Sequence, residues 1–261
     1  MKVVLFCGGL GMRLREYSDQ IPKPMVPVGG QPILWHIMKY YASFGHTEFI
    51  LCLGYKGEVI KKFFLEYNEC LTNDFVLDGG GAQIELLHRD IHDWRITFVD
   101  TGQKTNIGGR LLKVKDYLKD EDIFLANYSD TLTNLDVNKM IDAFKRTNAA
   151  AGFCCVKPPY SFHLVSLDER DKVGAIRDIR ESGNWMNGGH FVLRREIFDN
   201  LYEGEELVIE GFDRLLRKDR LFAYMHDGFW TCMDTFKEKQ FLDEMIAHGS
   251  APWQVWNQDA S

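Results

Sequence analysis

The chain has 261 residues, of which 45% are apolar, enough to furnish the core of one α/β domain. Its 31 basic and 38 acidic side chains leave a net charge of −7, which excludes a general nucleic-acid binder, because such affinity rests on neutralising phosphates. An anionic ligand must therefore meet a local cluster of positive charge, and no stretch approaches the roughly 20 apolar residues that would make it a membrane protein.

In chain order, "KVVLFC" reads as a buried strand, too short and without the cleavage site of a secretory signal. "PILWHIMKYYASFG" carries Ile33, Leu34, Ile37, Met38 and Tyr41 at helical spacing before a glycine stop. "EFILCLGY" reads as a strand, "KGEVIKKFFLEY" as a helix, "ITFVDTG" as a strand and "DIFLANYSD" as a strand closed by a polar turn. "NLDVNKMIDAFKRTN" follows as a helix and "AAAGFCCVKPP" as a strand. The second half is less regular: "HLVSLDERDKVGAIRDI" resembles a hairpin turning at "DERDK", and "MNGGHFVLRREIF" comes after it. The alternation predicts an α/β fold with a mainly parallel central sheet, which binds ligands at the carboxyl ends of its strands. Residues 1–261 read as a single domain with an elaborated second half, without repeats or linkers. Cys7, Cys52, Cys70, Cys154, Cys155 and Cys232 are scattered with no C-x-x-C pair, as expected of reduced thiols in a cytoplasmic protein with no zinc site or disulfide framework.

Two stretches carry chemistry. "CGGLGMR" places Gly8, Gly9 and Gly11 after the first strand, where backbone N–H groups can approach an anion unobstructed. It fits neither the dinucleotide fingerprint nor the P-loop, and alone it reads equally as a phosphate cradle or a tight connection. "IPKPMVPVGG" tips the balance: Pro22, Pro24 and Pro27 fix the backbone around Lys23, and with Arg13 that ammonium would neutralise a triphosphate. Asp130 of "YSD" and Asp234 of "CMD" can each be read as a cap or turn carboxylate, or as one of a pair holding a hard divalent ion.

With "KPMVPVGGQPILWHIMKYY", "VDTGQKTNIGGRL", "NYSDTL", "MNGGHFVL", "GFWTCMDTF" and "APWQVW", the chain resembles the sugar-phosphate nucleotidyltransferases over nearly its whole length, and within them the glucose-1-phosphate cytidylyltransferases. The resemblance implies a Rossmann-like nucleotide-binding domain with a sugar-binding second half. It implies an enzyme that transfers a nucleotidyl group, CMP from CTP, to a sugar 1-phosphate and releases pyrophosphate with Mg2+. It assigns Arg13 and Lys23 to catalysis, and Gly8, Gly9, Leu10, Gly11, Met12, Arg13, Lys23, Thr105, Arg110 and Ser129 to the nucleotide. Asp130 and Asp234 become the metal ligands, and His163, Arg180, Asn187 and Gly188 the groups around the sugar phosphate. The expected partners are a nucleoside triphosphate and a sugar 1-phosphate, with no nucleic acid or membrane; homo-oligomerisation is left open.

Several positions depart from the family pattern. Met12 replaces a threonine, Ser129 and Thr131 replace glycines flanking the metal aspartate, "IRESG" replaces a Glu-Lys-Pro motif so that Arg180 is a stand-in for its lysine, and His163 replaces a glycine. His163 can also be read as a packed core histidine. The departures cluster on the acceptor side, so the expected acceptor is a sugar phosphate other than plain glucose 1-phosphate. Two alternatives stay open: the same chemistry with UTP, dTTP or GTP, and an inactive regulatory relative, against which stands the joint presence of Arg13, Lys23, Asp130 and Asp234.

Overall fold

The computed structural model describes residues 1–9, 21–159 and 162–260. A seven-stranded sheet runs through it, built from β1 (Lys2–Phe6), β4 (Glu48–Leu53), β7 (Arg95–Asp100), β8 (Ile123–Tyr128), β10 (Ala151–Val156), β13 (Met186–Arg194) and β14 (Leu221–His226), in the order β14-β10-β13-β8-β1-β4-β7. Six strands share one direction and β13 alone opposes them. This is the mainly parallel α/β architecture expected from the alternation of strand and helix patterns.

The alternating side chains of β1 show how the layers form. Val3 and Leu5 pack with Ile37, Met38 and Tyr41 of α1 (Ile33–Ser43), while Val4 and Phe6 pack with Leu111 of α3 (Ile107–Lys113) and with Phe124 and Phe198. Ile60 of α2 (Gly57–Leu65), Met140 of α4 (Val137–Lys145) and Leu242 of α6 (Phe236–Ala247) join the first core, and Phe212 of α5 (Phe212–Leu216) joins the second. A strand buried on both faces must be apolar throughout, which is why "KVVLF" shows no polar alternation. Among the described residues no helix is long and apolar enough to cross a membrane.

Small antiparallel ribbons complete the fold: β2 (Pro27–Val28) with β3 (Gln31–Pro32), β5 (Phe75–Asp78) with β6 (Gln83–Leu86), β9 (Thr131–Thr133) with β15 (Trp230–Cys232), and β11 (His163–Leu167) with β12 (Val173–Asp178). The last is the hairpin turning at "DERDK". "MNGGHFVL", by contrast, is strand, lying between β8 and β10.

Topology fixes where a ligand can sit. From β1 the sheet extends to β4 on one side and to β8 on the other, so a crevice opens at the carboxyl end of β1 where the chain's path reverses. Gly8 and Gly9 follow β1 there, and Ser129 and Asp130 follow β8, whose Tyr128 is paired in register with Phe6. Because β13 runs the opposite way, its first residues, including Asn187 and Gly188, arrive at this same edge.

Candidate active site

At that edge lies a cavity of about 420 Å³, lined by Gly9, Lys23, Ser129, Asp130, Asn187, Gly188, Trp230, Cys232 and Asp234 among others. Lys23 begins a single 3-10 turn, Lys23–Met25, between Pro22 and Pro24. Met25 N–H donates to Pro22 O at 2.8 Å and Val26 N–H to Lys23 O at 3.1 Å, so the prolines and these bonds leave the lysine backbone little freedom. Its ammonium stands between two carboxylates, 2.5 Å from Asp130 Oδ2 and 2.5 Å from Asp234 Oδ1. Burial alone would lower its pKa, but Asp130, with help from Cys232 and Asp234, outweighs burial and raises it, so the side chain is a cation at any working pH.

The two aspartates, far apart in the chain, are joined by the β9–β15 ribbon. Thr131 pairs with Cys232 and Met233 N–H donates to Asp130 O at 2.9 Å, which fixes both carboxylates at one end of the ribbon. Neither is a helix cap. Asp130 leads into β9, and α6 is capped by Thr235, whose hydroxyl accepts from Glu238 N–H while the Glu238 carboxylate accepts from Thr235 N–H and, at 2.6 Å, from Asp234 N–H.

Ligand atoms of Asp130, Cys232 and Asp234 lie within 4.8 Å of one another. Two converging carboxylates match the one or two that a hard divalent ion takes from a protein, and the Lys23 ammonium between them marks a place where a cation is held. Cys232 was not singled out as a site residue in the sequence; its only signal was its position two residues before Asp234.

The other expected site residues divide clearly. Ser129 and Thr131, the departures flanking Asp130, are buried, Ser129 donating its hydroxyl to Phe6 O at 2.8 Å and so tying β8 to β1. Gly188 accepts from Trp230 Nε1 at 2.8 Å, and Asn187 Oδ1 accepts from Gly189 N–H at 2.8 Å. Arg110 is buried, its guanidinium donating to Gly8 O at 2.9 Å. Thr105 donates to Thr101 O at 2.5 Å and lines a second hollow with Lys104, Asn106 and Lys113.

His163 and Arg180 sit on and beside the β11–β12 hairpin and do not line the central cavity. His163 is exposed, not packed in a core, and the Arg180 guanidinium is bound to Asp178, whose carboxyl it holds well below the usual range. Leu10, Gly11, Met12 and Arg13 lie outside the described residues. Cys7, just before the glycines, is fully buried, and burial pushes its thiol up to about 12, which leaves it unreactive at neutral pH.

Two glycines after β1, a lysine held between prolines and a carboxylate pair at the switch point of a mainly parallel α/β sheet make the kind of site that phosphoryl chemistry uses. The nucleotidyl transferase family model matches residues 2–245, and the chain belongs to that family. Over 98% of its length it is 38% identical to the glucose-1-phosphate cytidylyltransferases of Salmonella typhimurium and Salmonella typhi, each covered in full. It is 28% identical to a mannose-1-phosphate guanylyltransferase of Mycobacterium tuberculosis, of which it covers 65%. Among solved structures, HddC from Yersinia pseudotuberculosis complexed with GMP-PN superposes with a TM-score of 0.66 at 21% identity, covering 94% of this chain and 99% of that one. A UDP-glucose pyrophosphorylase complexed with UDP-glucose gives 0.70 at 13% identity, covering 95% and 98%. Those two likenesses establish the fold. The reaction class is nucleotidyl transfer to a sugar 1-phosphate, and enzymes of this family generally use a divalent metal.

Proposed function

We propose that the chain transfers CMP from CTP to glucose 1-phosphate, giving CDP-glucose and pyrophosphate, with Mg2+ as the metal. The observation that carries this reading is the convergence of Asp130 and Asp234 on Lys23 beside Gly9, at the switch point of the sheet. The choice of cytidine and glucose rests on the full-length likeness to the two Salmonella enzymes. His163 and Arg180, the two changes behind the expectation of an altered acceptor, are not among the residues that line the cavity, and glucose 1-phosphate is the acceptor we assign.

In this reading a phosphate oxygen of the sugar 1-phosphate attacks the α-phosphorus of CTP in line. The bond from that phosphorus to the bridging oxygen breaks, and pyrophosphate leaves with the electron pair. No group of the chain forms a covalent intermediate, since phosphoryl chemistry of this kind runs on positioning and charge. Gly9 presents backbone to the phosphates, Lys23 supplies a fixed positive charge, and Asn187 and Gly188 border the space left for the sugar. Asp130 and Asp234 would hold Mg2+, which would supply charge neutralisation at the phosphates.

The test is pyrophosphate release by the purified chain with Mg2+, each of CTP, UTP, dTTP and GTP, and a panel of sugar 1-phosphates. CTP with glucose 1-phosphate is expected to give kcat/KM of about 10⁴ M⁻¹s⁻¹ or more, the range of an enzyme on its own substrate. A higher value for another nucleotide or sugar would replace the assignment, and no turnover with any pair would make the chain an inactive relative.

A further inference from the structure

Arg110 is buried, yet no carboxylate of the described residues is in ion-pair contact with it. Its guanidinium is instead bonded to three carbonyls and one hydroxyl at the carboxyl ends of neighbouring strands. Nη1 donates to Leu53 O at 3.1 Å and to Thr101 Oγ1 at 2.6 Å, and Nη2 donates to Gly8 O at 2.9 Å and Gln103 O at 3.4 Å. Leu53 ends β4, Gly8 lies two residues beyond β1, and Thr101 and Gln103 follow β7, so the acceptors come from the carboxyl ends of three parallel strands. Only a planar group with several fixed donors satisfies them together, which lysine cannot do.

The glycines confirm how closely the group is enclosed. A Cβ on Gly8 would stand 1.9 Å from Arg110 Nη1, and a Cβ on Gly54 would stand 2.8 Å from Gly8 O and 3.0 Å from Arg110 Nη1. Gly8 is therefore glycine to admit the guanidinium, whereas Gly9 has nothing within 4 Å of where its Cβ would be and lines the cavity.

Peptide geometry links the two residues. The bond between Gly8 and Gly9 is trans, so its C=O and N–H point in opposite directions. With the Gly8 carbonyl bonded to Arg110, the Gly9 N–H points away from the guanidinium, and Gly9 is a residue that lines the cavity. We infer that Arg110 is a positioning residue: it serves nucleotide binding by fixing the orientation of the Gly8–Gly9 peptide, so that Gly9 N–H is presented to a phosphate. The inference rests on the proposed phosphate-binding role of the glycine turn. Thr101 belongs to the same device, because its hydroxyl accepts from the guanidinium and donates to Leu53 O at 2.7 Å, fixing the fork in the plane that reaches Gly8.

The experiment uses the full chain labelled with ¹⁵N-glycine and titrated with inorganic pyrophosphate, in the wild type, R110K and T101V. The wild-type Gly9 amide resonance is expected to shift on binding. In R110K, which keeps a positive charge but cannot hold all four acceptors, pyrophosphate should bind at least tenfold more weakly and the Gly9 shift should collapse, with the resonances of distant Gly45 and Gly174 unchanged. T101V leaves Arg110 in place but removes one anchor, and should weaken pyrophosphate binding about threefold or more, raising nucleotide KM by a similar factor while sugar-phosphate KM stays put. A merely structural arginine would lower thermal stability without this selective loss. If R110K does not fold, T101V decides, and wild-type pyrophosphate affinity in T101V overturns the inference. A wild-type chain that turns over while its Gly9 amide ignores pyrophosphate overturns the inference alone; one that neither turns over nor binds pyrophosphate overturns the proposed function with it.

Discussion

Lys23 shows what one residue contributes when two prolines and two carboxylates hold it. Without the ammonium, the ligand oxygens of Asp130 and Asp234 would face each other within 4.8 Å, a repulsion of roughly 3 kcal/mol between unit charges at an effective dielectric of about 20. The site is at a cavity edge, where water and cations can relieve that repulsion, so Lys23→Ala is expected to fold. Turnover should nevertheless fall about a hundredfold or more, the scale on which a preorganised charge acts. Steady-state kinetics with circular dichroism on the same sample check both parts, and unchanged kcat would return Lys23 to a purely local role. The aspartates should respond differently: Asp130→Asn and Asp234→Asn are each expected to raise the Mg2+ concentration needed for half-maximal rate while lowering that rate, whereas Lys23→Ala should leave the metal requirement no higher. An asparagine variant with the wild-type metal profile would show that its aspartate is not a ligand.

Elements explain how such residues meet, and here the sequence could be read only in part. Runs such as "KVVLF" and the spacing of Ile33, Ile37 and Tyr41 encode their own strand and helix, because burial on both faces or on one stripe dictates local composition. The Lys23 segment was equally legible, since proline constrains its own backbone. What could not be read is β13: glycine pairs signal turns, yet Gly188 lies in strand against neighbours distant in sequence, and Gly189 adds to such a neighbour a left-handed backbone, with φ of 75°. A Cβ on Gly188 would meet Cys154 O, Trp230 Nε1 and Val156 Cγ1, each at 3.2 Å, and one on Gly189 would come within 2.5 Å of the Tyr128 ring. Arg110 is similar, its acceptors coming from three strands that no local pattern joins. The capping box of α6 tests the reverse link, from element to site, because Glu238 receives both Thr235 N–H and Asp234 N–H. Thr235→Ala is expected to cost about 1 kcal/mol of stability and, by loosening the Glu238 side chain, to raise the Mg2+ requirement severalfold. Denaturant unfolding and a metal titration measure the two effects, and a stability loss with an unaltered metal profile would separate the cap from the site.

At the scale of the whole molecule, two buried histidines contribute to its behaviour in acid. Burial lowers His36 and His190 to about 4 each, with the backbone carbonyls of Val28 and Gly188 only partly countering it. His36 Nε2 faces Val28 O at 2.8 Å and therefore donates, which leaves Nδ1 as the acceptor for Trp253 Nε1–H at 3.4 Å. Protonating Nδ1 would set two donors against each other beneath Trp253, a fully buried side chain that fastens the segment near the carboxyl terminus to α1. His190 Nδ1 donates to Gly188 O at 3.1 Å, a bond that either protonation state makes, so it is burial that keeps this ring neutral. In the unfolded chain both residues titrate near 6.5, so between about pH 6.5 and 4 the unfolded state binds more protons than the folded one. Stability is therefore complete above about 6.5 and declines as pH falls, by up to about 1.4 kcal/mol per pH unit for each histidine. Denaturant unfolding followed by tryptophan fluorescence between pH 7.5 and 4.5 should show this slope, and His36→Gln, which cannot charge, should be less stable at pH 7.5 but lose less on acidification. An equal pH slope in the wild type and in His36→Gln would mean that His36 takes up its proton without unfolding the chain, and that Trp253 is held by its packing alone.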